Sequence, residues 1–112
     1  MWQESLGGIM CDLNAVEISG TIMDEPIFRS TKNDSTMSTF SISVQRKEPS
    51  KSKDYLNVVA WGEQATQIRE EYHSGEKIGI KGYLRKQFYM GQDGLKKYSL
   101  QIVAEDIYRP KS

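Results

Sequence analysis

The sequence predicts an all-β domain, a small closed barrel of five strands with one short helix between the third and fourth strands. Three observations support this prediction. Apolar and polar residues alternate in five segments, which is the period of strands with one buried face. One segment between them has the helical period instead. The chain has 112 residues, the size of one domain, and closing the sheet would leave no exposed strand edges.

The first predicted strand follows Leu13, where residues 16–22 alternate between apolar and polar. Gly20 inside this strand indicates a bulge, a bend or a close approach of another backbone segment. The strand ends at Asp24-Glu25-Pro26. A polar stretch over residues 29–36 then contains a turn signal and is predicted to lack a strand.

The second and third predicted strands flank a basic loop. Residues 40–45 alternate between apolar residues and Ser or Gln, which predicts a strand. The loop over residues 46–54 contains serines and Pro49, and these residues disfavour regular structure. Residues 55–61 are rich in β-branched and aromatic side chains and form the third predicted strand.

The only helical pattern lies after the third strand. Ala65, Ile68 and Tyr72 have the spacing of one helix face, which predicts a short helix over residues 63–73 packed on the barrel through Tyr72. Gly75 is well placed to end it.

The last two predicted strands form a hairpin. Residues 77–89 alternate, the turn Gly91–Gly94 follows, and the final strand runs from Tyr98 to Tyr108. Tyr98 shares the parity of the apolar residues that follow it, so we expect it in the core, as we expect Phe28 and Phe40.

The resulting order, β-β-β-α-β-β, is the order of the OB-fold, a five-stranded Greek-key barrel. We assign residues 12–109 to this domain and residues 1–11, which have no clear period, to a flexible N-terminal arm.

The total charge is neutral, but the charges are clustered. Fifteen Lys and Arg residues balance 15 Asp and Glu residues. Many bases fall in two blocks, residues 45–53 and 81–97, while residues 1–27 carry five acids and no base. One face of the fold becomes positive if folding brings the two basic blocks together. No segment has the length and apolarity of a membrane span, and the N-terminus does not resemble a secretory signal.

The sequence offers no arrangement for catalysis or metal binding. His73 is the only histidine and Cys11 the only cysteine, which excludes a Ser-His-Asp triad built on any other histidine and a Cys/His zinc cluster. We therefore predict no metal, no cofactor and a binding protein rather than an enzyme.

Aromatic residues are interleaved with bases on the strands. Single-stranded nucleic acid presents both charged phosphates and exposed base faces, so cations and flat rings together favour it over a duplex. Trp61 and Tyr55 share one face of the third strand, and Tyr83 has the parity of Lys81 and Arg85, which favours exposure. The predicted phosphate-neutralising residues are Arg46, Lys47, Lys51, Lys53, Lys81, Arg85, Lys86, Lys96 and Lys97.

From Leu13 to Ile107 the sequence resembles the bacterial-type single-stranded DNA-binding proteins, the SSB family. The match rests on an ordered series of segments that resemble the family's strands and turns: Leu13–Gly20, Asp24–Pro26, Phe40–Arg46, Asp54–Gly62, Gly75–Arg85 and Gly94–Tyr98.

The resemblance implies an OB-fold that binds single-stranded DNA without strong sequence preference and without metal or cofactor, usually as a homotetramer. It implies that Tyr55, Trp61 and Tyr89 stack on bases. At the end of the second strand, where the family often has another stacking aromatic, this chain has Arg46-Lys47-Glu48. The chain also ends at Ser112 without the acidic tail through which family members recruit repair enzymes, so we do not expect such recruitment.

We therefore expect sequence-independent binding and protection of single-stranded DNA in replication, recombination and repair. The protein would be cytoplasmic and nucleoid-associated. The DNA would cross the face made by predicted strands two to five, with Tyr55, Trp61 and Tyr89 stacking and Tyr83 a weaker candidate. The first strand would be an edge for assembly into a homotetramer or dimer. Two alternatives are an OB-fold for protein contacts, such as a primosome-type accessory module, and an RNA-binding OB module.

Overall fold

The computed structural model describes residues 12–31, 33 and 35–111, so the arm predicted for residues 1–11 lies outside the described residues. It contains six strands and one helix. The elements in chain order are β1 (Val16–Ile22), β2 (Ile27–Ser30), β3 (Thr36–Gln45), β4 (Lys53–Trp61), α1 (Glu63–Glu71), β5 (Lys77–Met90) and β6 (Lys96–Tyr108).

Five of these strands close into a barrel, which confirms the predicted OB-fold. The order around it is β1-β5-β6-β4-β3, and β3 closes onto β1 through Thr21 and Ile22. All pairs are antiparallel except β4 with β6, the two strands on either side of α1 and β5 in sequence order. The helix lies between β4 and β5, which correspond to the predicted third and fourth strands.

The sequence predicts no strand in the polar stretch over residues 29–36, and this prediction was wrong at both ends of the stretch. Ile27–Ser30 form β2, and β3 begins at Thr36. The two segments pair antiparallel from Ile27–Thr39 to Ser30–Thr36, so β2 is an additional edge strand on β3. Polar composition concealed this hairpin because β2 and the part of β3 that pairs with it, Thr36–Thr39, bury no continuous apolar face.

The barrel interior is filled mainly by β-branched side chains. Ile42, Val58, Ile78, Ile80 and Ile102 are all at most 2% exposed and belong to one buried cluster. Each lies on the inward parity of its strand, which is why the period-two pattern predicted these strands correctly.

Helix α1 packs on the barrel, as its spacing predicts, and it ends at Glu71 rather than at residue 73. Ala65, Ile68 and the adjoining Tyr72 are buried. Buried Ser38 donates a hydrogen bond from Oγ to the Ala65 carbonyl at 2.8 Å, which ties α1 to β3. Phe28 departs from the prediction: it is half-buried, and its ring is covered by the Arg69 guanidinium at 4.6 Å rather than by the core.

Close backbone contacts explain two glycines of the barrel. A Cβ on Gly82 would lie 1.8 Å from the Val103 carbonyl oxygen, and one on Gly20 would lie 2.5 Å from the Ser43 carbonyl oxygen. The close approach predicted at Gly20 is therefore confirmed. At Gly82 the pairing of β5 with β6 also shifts register, between the Lys81–Asp106 and Gly82–Ala104 pairs.

Beyond the barrel, β5 and β6 continue as a two-stranded ribbon, residues 84–100. All residues from Leu84 to Met90 are exposed. Tyr98 and Leu100 are each 55% exposed, so the expectation that Tyr98 lies in the core was wrong. Its parity is inward, but the ribbon has left the barrel and no described element packs on that side. Within the described residues, no helix is long and apolar enough to cross a membrane.

Candidate nucleic-acid interface

One surface of the barrel carries the side chains of β4 that alternate with the core. On β4, Tyr55 and Trp61 point away from buried Val58 and Ala60, and they are 64% and 37% exposed. We call the surface on this side of β3, β4, β6 and β5 the outer face. Trp61 borders a shallow depression that is also lined by Thr36 and Gln64, so its indole is accessible from one side.

The strand register shows that the outer face continues from β4 across the sheet to the ribbon. Val59 pairs with Val103, and Val103 pairs with Tyr83. Tyr83 is half-buried, and Tyr89 lies six residues further along the same side of β5, where it is 51% exposed. The four predicted stacking residues therefore share one side of the sheet.

The predicted cations of the loop between β3 and β4 lie next to this face. Lys47, Lys51 and Lys53 are exposed. Arg46 is exposed too, but its guanidinium pairs with both oxygens of Asp54, the closest contact being 2.9 Å. This hydrogen-bonded pairing lowers the pKa of Asp54 and raises the pKa of Arg46, so both groups stay charged and largely offset one another.

Two predicted cations on β5 and β6 also have acidic neighbours. Lys81 pairs in the sheet with Glu17 on one side and Asp106 on the other. Lys97 lies 3.5 Å from the carboxylate of Asp93. The positive charge of Lys97 is therefore locally offset, and Lys81 has an acidic residue on each neighbouring strand.

Lys86 and Lys96 lie on the opposite side of the ribbon from Tyr89. We call this side the ribbon underside: Leu84, Lys86, Phe88, Met90, Lys96, Tyr98 and Leu100. The Lys86 ammonium lies 4.4 Å from the Tyr98 ring centre, and that of Lys96 lies 4.6 Å from the Phe88 ring centre. The rings of Phe88 and Tyr98 pack edge to face at 6.2 Å. The structure thus divides the predicted cations between two surfaces.

Polar side chains that the sequence analysis did not select occupy the centre of the outer face. Asn57 pairs with Gln101, and Gln101 pairs with Arg85, so a polar row crosses three strands. Gln101 is only 5% exposed. It accepts from Arg85 at 2.8 Å and donates to Gln87 at 2.9 Å. The shared parity of Asn57 with Tyr55, and of Gln87 with Arg85, was the available sequence signal.

His73 lies in a separate polar cluster. Its ring nitrogen Nδ1 is 3.3 Å from Glu25, whose carboxylate also accepts the Ser74 backbone N–H at 2.9 Å. These contacts, the backbone one first, lower the pKa of Glu25. In the part of the chain that the structure describes, no cluster of three or more His, Cys, Asp or Glu residues is arranged to hold a metal ion.

Comparison with known proteins agrees with this geometry. The model of the family described as "Single-strand binding protein family" matches residues 13–110. A single-stranded DNA-binding protein of Bacillus cereus is 29% identical over 99 residues, which cover 85% of this chain. Single-stranded DNA-binding protein 3 of Clostridium acetobutylicum is 28% identical, and a thylakoid-associated single-stranded DNA-binding protein of Synechocystis sp. is 30% identical, each over 85% of this chain.

The relatives differ in how much of their own length is matched. The chain spans 58% of the Bacillus cereus protein, 69% of the Clostridium protein and 74% of the Synechocystis protein. The similarity therefore covers nearly all of this chain but only part of each relative.

Proposed function

The chain belongs to the single-strand binding protein family, and from this premise we propose that it binds single-stranded DNA across the outer face without sequence preference. One observation carries the proposal: Tyr55, Trp61, Tyr83 and Tyr89 share one side of the sheet, where all but half-buried Tyr83 are exposed, and the basic loop lies beside it. Under this proposal the chain is a binding protein rather than an enzyme.

Stacking supplies the affinity that is independent of sequence. Tyr55, Trp61 and Tyr89 are each more than one-third exposed, so a base can cover a ring without unfolding the barrel. Such stacking contributes about 1–3 kcal/mol per base, and every base has a flat face. Bases in a duplex are already stacked on one another, so a duplex gains little. Tyr83 is half-buried and would contribute less.

Phosphate neutralisation would come mainly from cations that have no acidic neighbour at close range in the described structure. The loop between β3 and β4 contributes two of them, the first residue of β4 is a third, and Arg85 lies among the polar residues of the outer face. Each phosphate they neutralise releases counterions, which makes binding weaken with salt. These residues are Lys47, Lys51, Lys53 and Arg85.

Self-association is part of the proposal. The ribbon underside exposes Leu84, Phe88, Tyr98 and Leu100 together, and contiguous exposed apolar surface of this kind is typical of an interface. Strand β1 pairs with β3 only at its last two residues, so within the described residues the rest of that edge has no strand partner. We propose that a homotetramer, or a dimer, uses these surfaces.

In the cell, a protein of this kind would coat and protect single strands exposed during replication, recombination and repair, in the cytoplasm and in association with the nucleoid. These roles follow from the proposed binding chemistry, since unpaired strands arise in all three processes.

Titration of fluorescent oligo-dT, oligo-rU and duplex DNA at two salt concentrations tests the proposal. We expect tight oligo-dT binding that weakens with salt, and little duplex binding. Equal affinity for oligo-rU would favour an RNA-binding module instead. Absence of binding to every oligonucleotide at low salt would refute the proposal and favour a protein-contact module.

Trp61→Ala locates the site. If Trp61 stacks, the variant binds oligo-dT about five- to 150-fold more weakly, equivalent to about 1–3 kcal/mol. Phe28→Ala is the control, because it removes a half-buried ring that lies against Arg69 of the helix. Circular dichroism checks that both variants are folded. Equal oligo-dT affinity of Trp61→Ala and wild-type protein would remove Trp61 from the site.

A further inference from the structure

A hydrogen-bonded relay of three side chains crosses the ribbon side of the outer face. The Arg85 guanidinium donates to Gln101 Oε1 at 2.8 Å, and Gln101 Nε2 donates to Gln87 Oε1 at 2.9 Å. Gln101 is almost completely buried, whereas Arg85 and Gln87 are exposed. The relay therefore connects a fixed central amide to two groups at the surface.

The direction of this relay is fixed by chemistry. Arginine has donors and no acceptor, so the oxygen of the Gln101 amide must face Arg85. The Gln101 NH₂ group must then face Gln87, and Gln87 must turn its oxygen inward to accept. The group that Gln87 leaves toward the solvent is its Nε2, which carries two N–H donors.

The neighbouring pair in the same row has the same polarity. Ser41 Oγ donates to Asn57 Oδ1 at 3.1 Å, which leaves the Asn57 amide NH₂ as the outward group. Asn57 lies directly beside Gln101 in the sheet. Each amide oxygen of this row thus accepts a hydrogen bond within the protein, and among the described residues the NH₂ groups of Asn57 and Gln87 have no acceptor.

We propose that this relay makes Gln87 a residue that contacts the bound strand and Gln101 the residue that positions it. The outward Nε2 of Gln87 donates to acceptor atoms of single-stranded nucleic acid, on the bases or on the phosphates. Thymine offers carbonyl oxygens and adenine offers ring nitrogens as acceptors, so this donor can contact either base, in keeping with binding that does not depend on sequence. This inference rests on the proposed function and adds to it a specific hydrogen-bonding pattern.

Gln101→Glu tests the relay because it changes the polarity with almost no change in size. A carboxylate only accepts, so Gln87 must turn its NH₂ inward and present its oxygen to the strand. We expect oligo-dT affinity to fall at least about tenfold, since a lost hydrogen bond accounts for about two- to tenfold and an opposing acceptor adds to it. Gln92→Glu, in the exposed turn of the ribbon, is the control for the charge change alone.

A second variant separates positioning from direct contact. Gln87→Met keeps the length of an exposed side chain and removes its amide, which takes the acceptor away from the Gln101 NH₂. Circular dichroism checks that the variant is folded. We expect it to weaken oligo-dT binding about two- to tenfold. If Gln101 acts through Gln87, the effect of Gln101→Glu is smaller in the Gln87→Met background than in the wild type.

Oligo-dT and an abasic oligonucleotide of the same length identify the acceptor. A loss that is seen with oligo-dT and not with the abasic strand assigns the contact to bases, and an equal loss for both assigns it to phosphates. The relay has no role if two results are found together in a wild-type protein that binds oligo-dT. The oligo-dT affinity of Gln101→Glu then equals that of Gln92→Glu, and the affinity of Gln87→Met equals that of the wild type. If the wild-type protein does not bind, the proposed function itself fails.

Discussion

Phe88 and Tyr89 are neighbours in sequence, but they lie on opposite sides of the ribbon and are almost equally exposed, at 55% and 51%. Tyr89 continues the outer face, while Phe88 belongs to the ribbon underside beside Tyr98. Replacing either residue by alanine therefore removes one exposed ring from one side of the ribbon and leaves the ring on the other side in place. We expect Tyr89→Ala to weaken DNA binding and Phe88→Ala to weaken self-association.

The sizes of the two effects follow from different physics. A stacked ring contributes about 1–3 kcal/mol per base, so Tyr89→Ala costs about five- to 150-fold in oligo-dT affinity. An aromatic side chain has about 200 Å² of surface, of which Phe88 leaves about half exposed. Covering about 100 Å² contributes at most about 2.5 kcal/mol per protomer at 25 cal/mol per Å².

Two measurements on each variant complete the test. Fluorescence titration with a short oligo-dT that occupies one protomer gives the affinity, and light scattering over a dilution series gives the mass. We expect Tyr89→Ala to keep the wild-type mass and Phe88→Ala to keep the wild-type affinity for the short oligonucleotide. If Phe88→Ala lowers that affinity as much as Tyr89→Ala does, the DNA contacts both sides of the ribbon and a one-sided site is refuted.

Three further predictions concern the loop, the barrel and one carboxylate. Alanine at Lys47, Lys51 and Lys53 together should flatten the slope of log affinity against log salt by about 2. An unchanged slope in titrations would exclude these three lysines from the DNA-binding site. Gly82→Ala should lower the free energy of unfolding by at least about 2 kcal/mol in urea titrations, because its Cβ meets the Val103 carbonyl. The Ser74 N–H holds the pKa of Glu25 below its ordinary value, so Glu25 stabilises the fold above that ordinary value and loses this effect as pH falls through the lowered pKa. Glu25→Gln should therefore melt earlier than wild type at neutral pH, with a difference that shrinks in acid; a constant difference would contradict this.

The barrel could be predicted because its strands keep one face in the core. Ile78 and Ile80 on β5, like Val58 and Ala60 on β4, are buried at alternate positions, and this is the period that the sequence displays. Strand β2 was missed for the converse reason. Ile27 is exposed and Phe28 only half-buried, so the strand is held by backbone pairing to β3 and leaves almost no apolar pattern.

The ribbon shows what alternation does not encode. Period two indicates which side of a strand a residue lies on, and Tyr98 does lie on the inward parity. Whether that side is covered depends on where the strand leaves the barrel, which is a property of the neighbouring strands. Beyond Leu84 no described element packs on the inward side, so Tyr98 and Leu100 are exposed despite their pattern.

The predicted cations illustrate a second limit. Sequence blocks indicated where bases are concentrated, but the pairing of each base depends on its fold neighbours. Arg46 and Lys97 have carboxylate partners, and Lys81 lies between two acidic residues. Lys86 and Lys96 lie on the ribbon underside. Each of these five is a weaker candidate for phosphate contact than the sequence alone indicated.

The affinity of this neutral chain for DNA should therefore depend less on charge than it would if all nine predicted cations contacted phosphates. The four remaining cations of the outer face, if each neutralises one phosphate, give a slope of log affinity against log salt of about −3 per protomer, at about 0.7 per contact for single strands. Stacking by the exposed rings, which salt does not screen, then supplies most of the affinity at high salt. A measured slope steeper than about −4 would mean that the paired cations or those of the underside also reach the DNA, and the outer face alone would no longer describe the site.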